Sequence, residues 1–392
     1  MKTAGIVCEY NPMHKGHIYH IEETRKNGAT HIVCVMSGNF VQRGECAFLD
    51  KWSRADIAVH SGADLVVELP TFRSADSAEN FAFGAVSILS SLGIDILSFG
   101  SETDDKDLLK SVSDISDEKL SSVIKMGIEK GLSYPSALRE AVQSLYGEME
   151  AEVISSPNST LGIEYIKALK KLGCNAEILP VKRKGSIHDS DNLSGEFVSA
   201  SALRNSEDLI SLKPFVAGYA FDVMTKLYEE GFAPVTMKNG ERAILSSLRN
   251  MKKEELEKYI DDKRGLSDRI YNALKTSQSL EELYEKVKTK NVTMAKGRRS
   301  VLRAYLGISP EMSKEKPPYI KVLAANEKGL EILKNYNGDL PIITKHSDAS
   351  SLSGFAKEVY ETECRLSDLY ALFSKKIRVC SLEQTNSIKI IR

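Results

Sequence analysis

No stretch of this 392-residue chain approaches the roughly 18 consecutive apolar residues that a membrane-spanning helix requires. Nor is there a CxxC pair among its six cysteines, Cys8, Cys34, Cys46, Cys174, Cys364 and Cys380. That spacing argues against a structural zinc and against a disulfide framework, and Cys8 and Cys34 fall inside apolar strand-like runs. A charged leader with a cleavage site is also missing, because the chain enters an apolar segment almost at once. The expectation is a cytoplasmic protein with reduced, packed thiols and no membrane contact. Two nucleotide motifs are absent at the first turn, GxGxxG and GxxxxGK(S/T), which disfavours a dinucleotide fold and a P-loop. There are no internal repeats and no low-complexity tract.

What is present suffices for a real core: 42% of residues are hydrophobic, with a mean hydropathy of −0.25. The length exceeds one ordinary domain, so two are expected, at 1–205 and 206–392. The net charge of −1 hides an asymmetry. Residues 1–205 hold 21 Lys and Arg against 28 Asp and Glu, whereas residues 206–392 hold 32 against 26. A polyanionic partner would rest on the basic half, although an ordinary solvated surface explains the same balance.

The densest chemistry lies in Gly5-Ile6-Val7-Cys8-Glu9-Tyr10-Asn11-Pro12-Met13-His14-Lys15-Gly16-His17. Ala4–Cys8 reads as a short buried strand, and Asn11-Pro12 breaks it, since proline lacks an amide donor. From Gly16 a helical pattern begins, with Ile18 and Ile21 on one face and His14, His17 and His20 recurring every three residues. Unpaired amides at such a helix start favour an anion, and glycine lets backbone approach phosphate oxygens closely. His14 and His17 can donate hydrogen bonds to a phosphoryl group and its leaving pyrophosphate. A pair of surface histidines is the plain alternative; two histidines three apart without a third ligand are a weak metal signal, and none is expected.

Strands and helices alternate through the first half. Strands are expected at His31–Met36, Asp64–Leu69, Ile94–Phe99 and Ala176–Val181, with helices at about 50–61, 77–92 and 160–172. Two further helices, 116–130 and 135–147, look inserted. Units of this length demand a parallel, doubly wound sheet, whose ligands sit beyond the carboxyl ends of the strands. That rule selects Glu9 to His17, Ser37 to Asn39, Gly100 to Thr103, and Lys182 to Lys184. Lys182 and Arg183 suit a triphosphate, or are simply a solvated strand end. In Phe197-Val198-Ser199-Ala200-Ser201-Ala202-Leu203-Arg204, Ser199 or Ser201 can cap a helix facing an anion. The irregular loop Phe40–Glu45 is expected over the pocket mouth, the plain alternative being that Arg43 and Glu45 are simply a surface ion pair. Asp50, Lys51 and Arg54 read as a helix start bathed in solvent.

The second half reads as helices at about 216–231, 242–250, 253–261, 266–276 and 279–288. In the segment Thr293–Gly307, Lys296, Arg299 and Arg303 share one helical face, a pattern that meets phosphates or merely faces water, and Arg298 is a further basic residue of the same segment. Strands at Pro317–Ala325 and Leu340–Thr344 with a helix at Glu327–Asn335 suggest a small α/β element riding on the helices.

The strand followed by NPxHxGH resembles the signature of the HxGH nucleotidyltransferase superfamily. Met36–Glu45, Asp50–Ala55, Gly62–Pro70, Phe99-Gly100-Ser101-Glu102 and Ser156-Pro157-Asn158 are similar to the bacterial tRNA(Met) cytidine acetate ligases, and the likeness covers essentially the whole chain. The resemblance implies a Rossmann-like parallel sheet followed by a mainly helical, basic tRNA-binding domain. It implies ATP-dependent acetylation of the wobble cytidine N4 of elongator tRNA(Met), with free acetate passing through acetyl-adenylate and with release of AMP and pyrophosphate. ATP, with Mg²⁺, would contact Val7, Cys8, Glu9, Tyr10, Asn11, Pro12, His14, Gly16, His17, His20, Gly100, Asn158 and Arg183. His14, His17, Lys182 and Arg183 would carry catalysis, and Lys296, Arg298, Arg299 and Arg303 would meet the anticodon loop. The superfamily's second motif, ISSTxIR, is matched loosely at 198–204, where alanine replaces the middle serine and serine the threonine. Two other classes stay open: a small-molecule adenylyltransferase and a non-catalytic, ATP-sensing RNA-binding protein.

Overall fold

The computed structural model describes residues 1–184, 198–206, 208–261 and 265–392. Phe197 of the second motif lies outside them. β1 (Thr3–Cys8), β2 (His31–Ser37), β5 (Leu65–Leu69), β6 (Ile96–Ser101) and β7 (Glu177–Lys182) stand side by side in the order β5-β2-β1-β6-β7, all parallel. These are the five strands that the apolar runs predict. Their order places the topological switch between β1 and β6, where two neighbouring strands send their chains in opposite directions and open a crevice. β3 (Phe40–Val41) and β4 (Glu45–Cys46) form a separate antiparallel hairpin.

Helices cover both faces, as a parallel sheet requires. The first helix, Lys15–Lys26, follows β1; Lys51–His60 follows the hairpin; Ala78–Ser91 precedes β6; and Pro157–Leu172 precedes β7. Close packing depends on small residues at contact points: a Cβ on Gly162 would stand 2.4 Å from the Phe99 ring. The inserted helices Asp117–Glu129 and Tyr134–Leu145 share a small core of their own, built on Leu120, Ile124, Ala137, Ala141 and Val142.

The C-terminal half differs from its sequence reading in how its strands pair. The strand expected to belong to a separate small element, β8 (Ile320–Ala325), pairs antiparallel with β5. β9 (Ile342–Ile343) and β10 (Lys389–Ile390) then add to the far edge of β8, giving an eight-stranded mixed sheet. The boundary expected at 205/206 therefore does not divide the sheet. Local pattern specifies a strand here, but a pairing between segments some 250 residues apart leaves no local trace.

Buried charge crosses the same seam. Lys51, fully buried, reaches Glu68 at 2.6 Å and also pairs with Glu383, which pairs in turn with Lys321. Glu363 accepts from Thr71 N at 2.6 Å and Thr71 Oγ1 at 2.8 Å. Burial, with the neighbouring Glu68 charge, pushes the Glu363 carboxyl up to about 7. Arg54, 1% exposed, donates to the carbonyls of Leu49, Glu9, Ser37 and Gly38. The expectation that Lys51 and Arg54 face solvent is thus overturned. Both charges point inward because acceptors from distant segments await them.

Candidate active site

At the switch between β1 and β6 lies a cavity of about 530 Å³. Its floor comes from the carboxyl ends of the strands: Val7, Cys8, Glu9 and Tyr10 after β1, Gly100 at the end of β6, and Lys182, Arg183 and Lys184 from β7 onward. His14, Gly16, His17 and His20 come from the first helix, Asn158 from the start of Pro157–Leu172, and Ser199, Ser201 and Arg204 from the short helix Ala200–Asn205 and its cap. Gln42 and Arg43 close one side, as expected of the loop at the mouth. Pro12 is buried in the turn beside the cavity and is not one of its lining residues; the Asn11–Pro12 bond is cis.

The two motif histidines cap their own helix. His14 Nδ1 accepts from Gly16 N at 3.1 Å, and His17 Nδ1 accepts from His14 N at 3.3 Å. With Nδ1 an acceptor on both rings, each neutral imidazole carries its proton on Nε2. The turn thereby offers two Nε2–H donors to the cavity. Burial, then the Arg183 and Arg204 charges, pushes His14 down to about 3. Burial, then His14, Arg183 and His20, hold His17 well below the ordinary imidazole range. Both rings are therefore neutral donors.

His20 lines the cavity but is otherwise engaged. Thr24 Oγ1 donates to His20 O at 2.8 Å, so it accepts from Ser98 Oγ at 2.7 Å. Ser98 in turn accepts from His20 Nε2 at 2.9 Å, closing a ring of hydrogen bonds that ties the first helix to β6. Burial, then Arg183, pushes His20 down to about 4.

Cations surround the histidines. Arg204 donates to Asn11 O at 2.7 Å and to Ser201 Oγ at 3.3 Å, and Arg43 reaches the same hydroxyl at 3.2 Å. Ser199 caps Ala200–Asn205 by accepting from Ala202 N at 3.1 Å. Lys182 and Arg183 open onto the cavity, and Lys184 Nζ lies 4.3 Å from the centre of the Tyr19 ring. Asn158 is oriented by Glu102, which accepts from Asn158 Nδ2 at 2.6 Å, Ser159 N at 2.8 Å and Ser159 Oγ at 2.6 Å. Burial opposes the charge on Glu102, yet the hydrogen bonds from Ser159 and Asn158 hold its carboxyl below its ordinary range. Glu102 appeared in sequence only as part of a motif; its place at a helix N-terminus gives it a physical task.

The basic helix, Met294–Leu306, abuts this cavity through Ala295 at its first turn. Lys296 is exposed. Arg298 pairs with Glu45, and Arg299 donates to Gln42 O at 3.2 Å. Arg303 departs from its expected place on a charged outer face: it is 7% exposed and donates to Phe72 O, Asp76, Ser309 O and Ser313. The last turn of the helix is buried against neighbouring loops, so Arg303 becomes an internal staple. Burial therefore removes Arg303 from the phosphate-meeting set.

The profile of the HIGH nucleotidyl transferase family matches residues 1–385. The chain is 36% identical over 396 residues to the tRNA(Met) cytidine acetate ligase of Caldanaerobacter subterraneus subsp. tengcongensis, covering 98% of each. Its structure is similar to apo Thermotoga maritima TmcAL, with a TM-score of 0.93 and 29% identity, and to the same protein bound with alpha-thio ATP, with a TM-score of 0.90 and 30% identity. Both similarities cover 100% of each chain.

Proposed function

This chain belongs to the tRNA(Met) cytidine acetate ligase family of HIGH nucleotidyl transferases, and from that premise we propose that it acetylates the N4 amine of the wobble cytidine in elongator tRNA(Met) with acetate and ATP. The observation that carries the reading is the pair of Nε2–H donors on His14 and His17, set among Arg183, Arg204 and Lys182 at the switch of the sheet.

Acetate is a poor acyl donor because its carboxylate would have to expel an oxide. Attack of an acetate oxygen on the α-phosphorus of ATP forms a carboxyl–phosphorus bond and breaks the bond to the bridging oxygen, so pyrophosphate departs. The cytidine amine then attacks the acetyl carbonyl, AMP leaves, and the amine gives up a proton. His14 and His17 donate to phosphoryl oxygens as charge develops, Arg183 and Lys182 hold the phosphates, and Gly16 keeps the backbone amides accessible. Gly100 and Asn158 contact the nucleotide. Among the described residues no group of three or more His, Cys, Asp or Glu side chains could hold a metal ion. A divalent ion, Mg²⁺, would accompany the ATP phosphates.

An anticodon-loop base can be splayed out and presented to such a cavity. The exposed Lys296 beside the mouth, together with the basic balance of residues 206–392, supports a role for this half in holding RNA phosphates. No helix among the described residues is long and apolar enough to cross a membrane; a tRNA substrate points to the cytoplasm. The test supplies ATP, labelled acetate and tRNA, omits each in turn, and reads label in cytidine after nuclease digestion. Label that requires both ATP and tRNA is expected. Splitting of ATP with a small acceptor and no labelled RNA would favour the adenylyltransferase reading instead.

A further inference from the structure

The turn between β3 and β4 stands between the basic helix and the cavity. Arg299 donates from Nη1 to Gln42 O at 3.2 Å, and the Gln42 N–H donates to Glu9 Oε1 at 2.9 Å. The next residue, Arg43, reaches Ser201 Oγ, the hydroxyl that also accepts from Arg204. Gly44, at φ +78°, lies against the helix so closely that a Cβ there would be 2.5 Å from Arg299 N and 2.8 Å from Arg298 C. Glu45 pairs with Arg298. Glu9, Gln42, Arg43, Ser201 and Arg204 all line the same cavity. Both phosphate-side motifs are thus moored to one three-residue turn, and that turn is moored to the helix Met294–Leu306.

We propose that Arg299 is a positioning residue for acetate adenylation, acting through the Gln42–Arg43 peptide on Glu9 and Ser201 rather than as a contact for RNA phosphate. This inference rests on the reading of the site as an acetate-activating one. Arg299 is half-buried, and its guanidinium is directed at a backbone carbonyl of the cavity wall. A hydrogen bond from a charged donor, shielded from water, is worth more than one at an open surface, so it can fix a three-residue turn that otherwise has glycine freedom at its end. Its neighbour Lys296, one turn earlier and exposed, is the residue suited to meet phosphates. The helix would then serve two purposes: Arg299 holds the pocket in shape, and Lys296, one turn earlier, meets RNA.

The test measures acetate-dependent exchange of labelled pyrophosphate into ATP, first without RNA and then with saturating tRNA, beside tRNA affinity at two salt concentrations. For Arg299→Ala the ATP KM in the exchange is expected to rise about ten-fold with kcat changed less than about three-fold, and tRNA affinity to stay within about three-fold. Arg299→Lys, which keeps a donor within reach of Gln42 O, restores most of the loss. Gly44→Ala changes no charge but pushes the turn off the helix, and it reproduces the KM defect. Unchanged exchange in Arg299→Ala, with weaker tRNA binding and a salt slope reduced by about one, would overturn the proposal in favour of a phosphate contact. So would a normal KM in Gly44→Ala. A native enzyme with no acetate-dependent exchange under either condition overturns the reading of the site itself, and the positioning role with it.

Discussion

The imidazoles of His14 and His17 stack with centroids 3.7 Å apart and planes 23° from parallel. A proton on His17 is opposed by burial, then by His14 and Arg183, and one on His14 by burial, then by Arg183 and Arg204.

This arrangement makes the protein sensitive to acid. His14 has its folded pKa lowered to about 3, against about 6.5 in the unfolded chain. The unfolded state takes up the proton first, so the stability held above pH 6.5 is lost as pH falls toward 3. At pH 5 the penalty from His14 is about 2 kcal/mol. Urea unfolding of His14→Gln at pH 7 and pH 5 should show a smaller pH difference than the native protein by about that amount. An unchanged difference would mean that His14 is already protonated in the folded state.

His17→Gln removes an Nε2–H donor from the cavity and leaves the basic helix intact. Turnover is expected to fall about 100- to 1,000-fold, the usual cost of losing one such donor, while tRNA affinity by gel shift stays near the native value. Full turnover would remove His17 from the chemistry.

Lys51 neutralises two buried carboxylates, Glu68 and Glu383, that belong to opposite halves of the chain. Lys51→Met should destabilise the protein by about 3–5 kcal/mol in urea unfolding, because it strands buried charge. A second change, Glu68→Gln, should recover part of that loss. Simple additivity of the two costs would show that they do not interact.

Lys296 and Arg303 lie on one helix but answer to different partners. Lys296→Glu should weaken tRNA binding and lower its salt slope by about one without altering unfolding. Arg303→Ala should cost stability through its lost bonds to Phe72, Asp76 and Ser309. If Arg303→Ala unfolds normally and only RNA affinity drops, its burial has been misjudged.

The catalytic region was legible in sequence because its signals are local. β1, the Asn11-Pro12 break and the His14–His17 spacing all fall within fifteen residues, and the hairpin loop over the mouth was marked by its irregular mixture of apolar and charged residues. The internal lives of Lys51, Arg54 and Arg303 were not legible, because a charged side chain at a helix surface position looks the same whether water or a distant carbonyl awaits it. The same reason hid the docking of β8 on β5. Its strand character is written in Ile320–Ala325, whereas its partner is chosen by closure of the whole chain.

The most direct test follows an oxygen atom. With acetate labelled by ¹⁸O in both carboxylate positions, plus ATP and tRNA, attack on the α-phosphorus must leave one ¹⁸O in the AMP released, read by mass spectrometry. AMP carrying that label in proportion to acetylated cytidine is the predicted result. Unlabelled AMP, or ¹⁸O recovered in orthophosphate alongside ADP, would show that acetate is activated elsewhere on the nucleotide and would contradict the account.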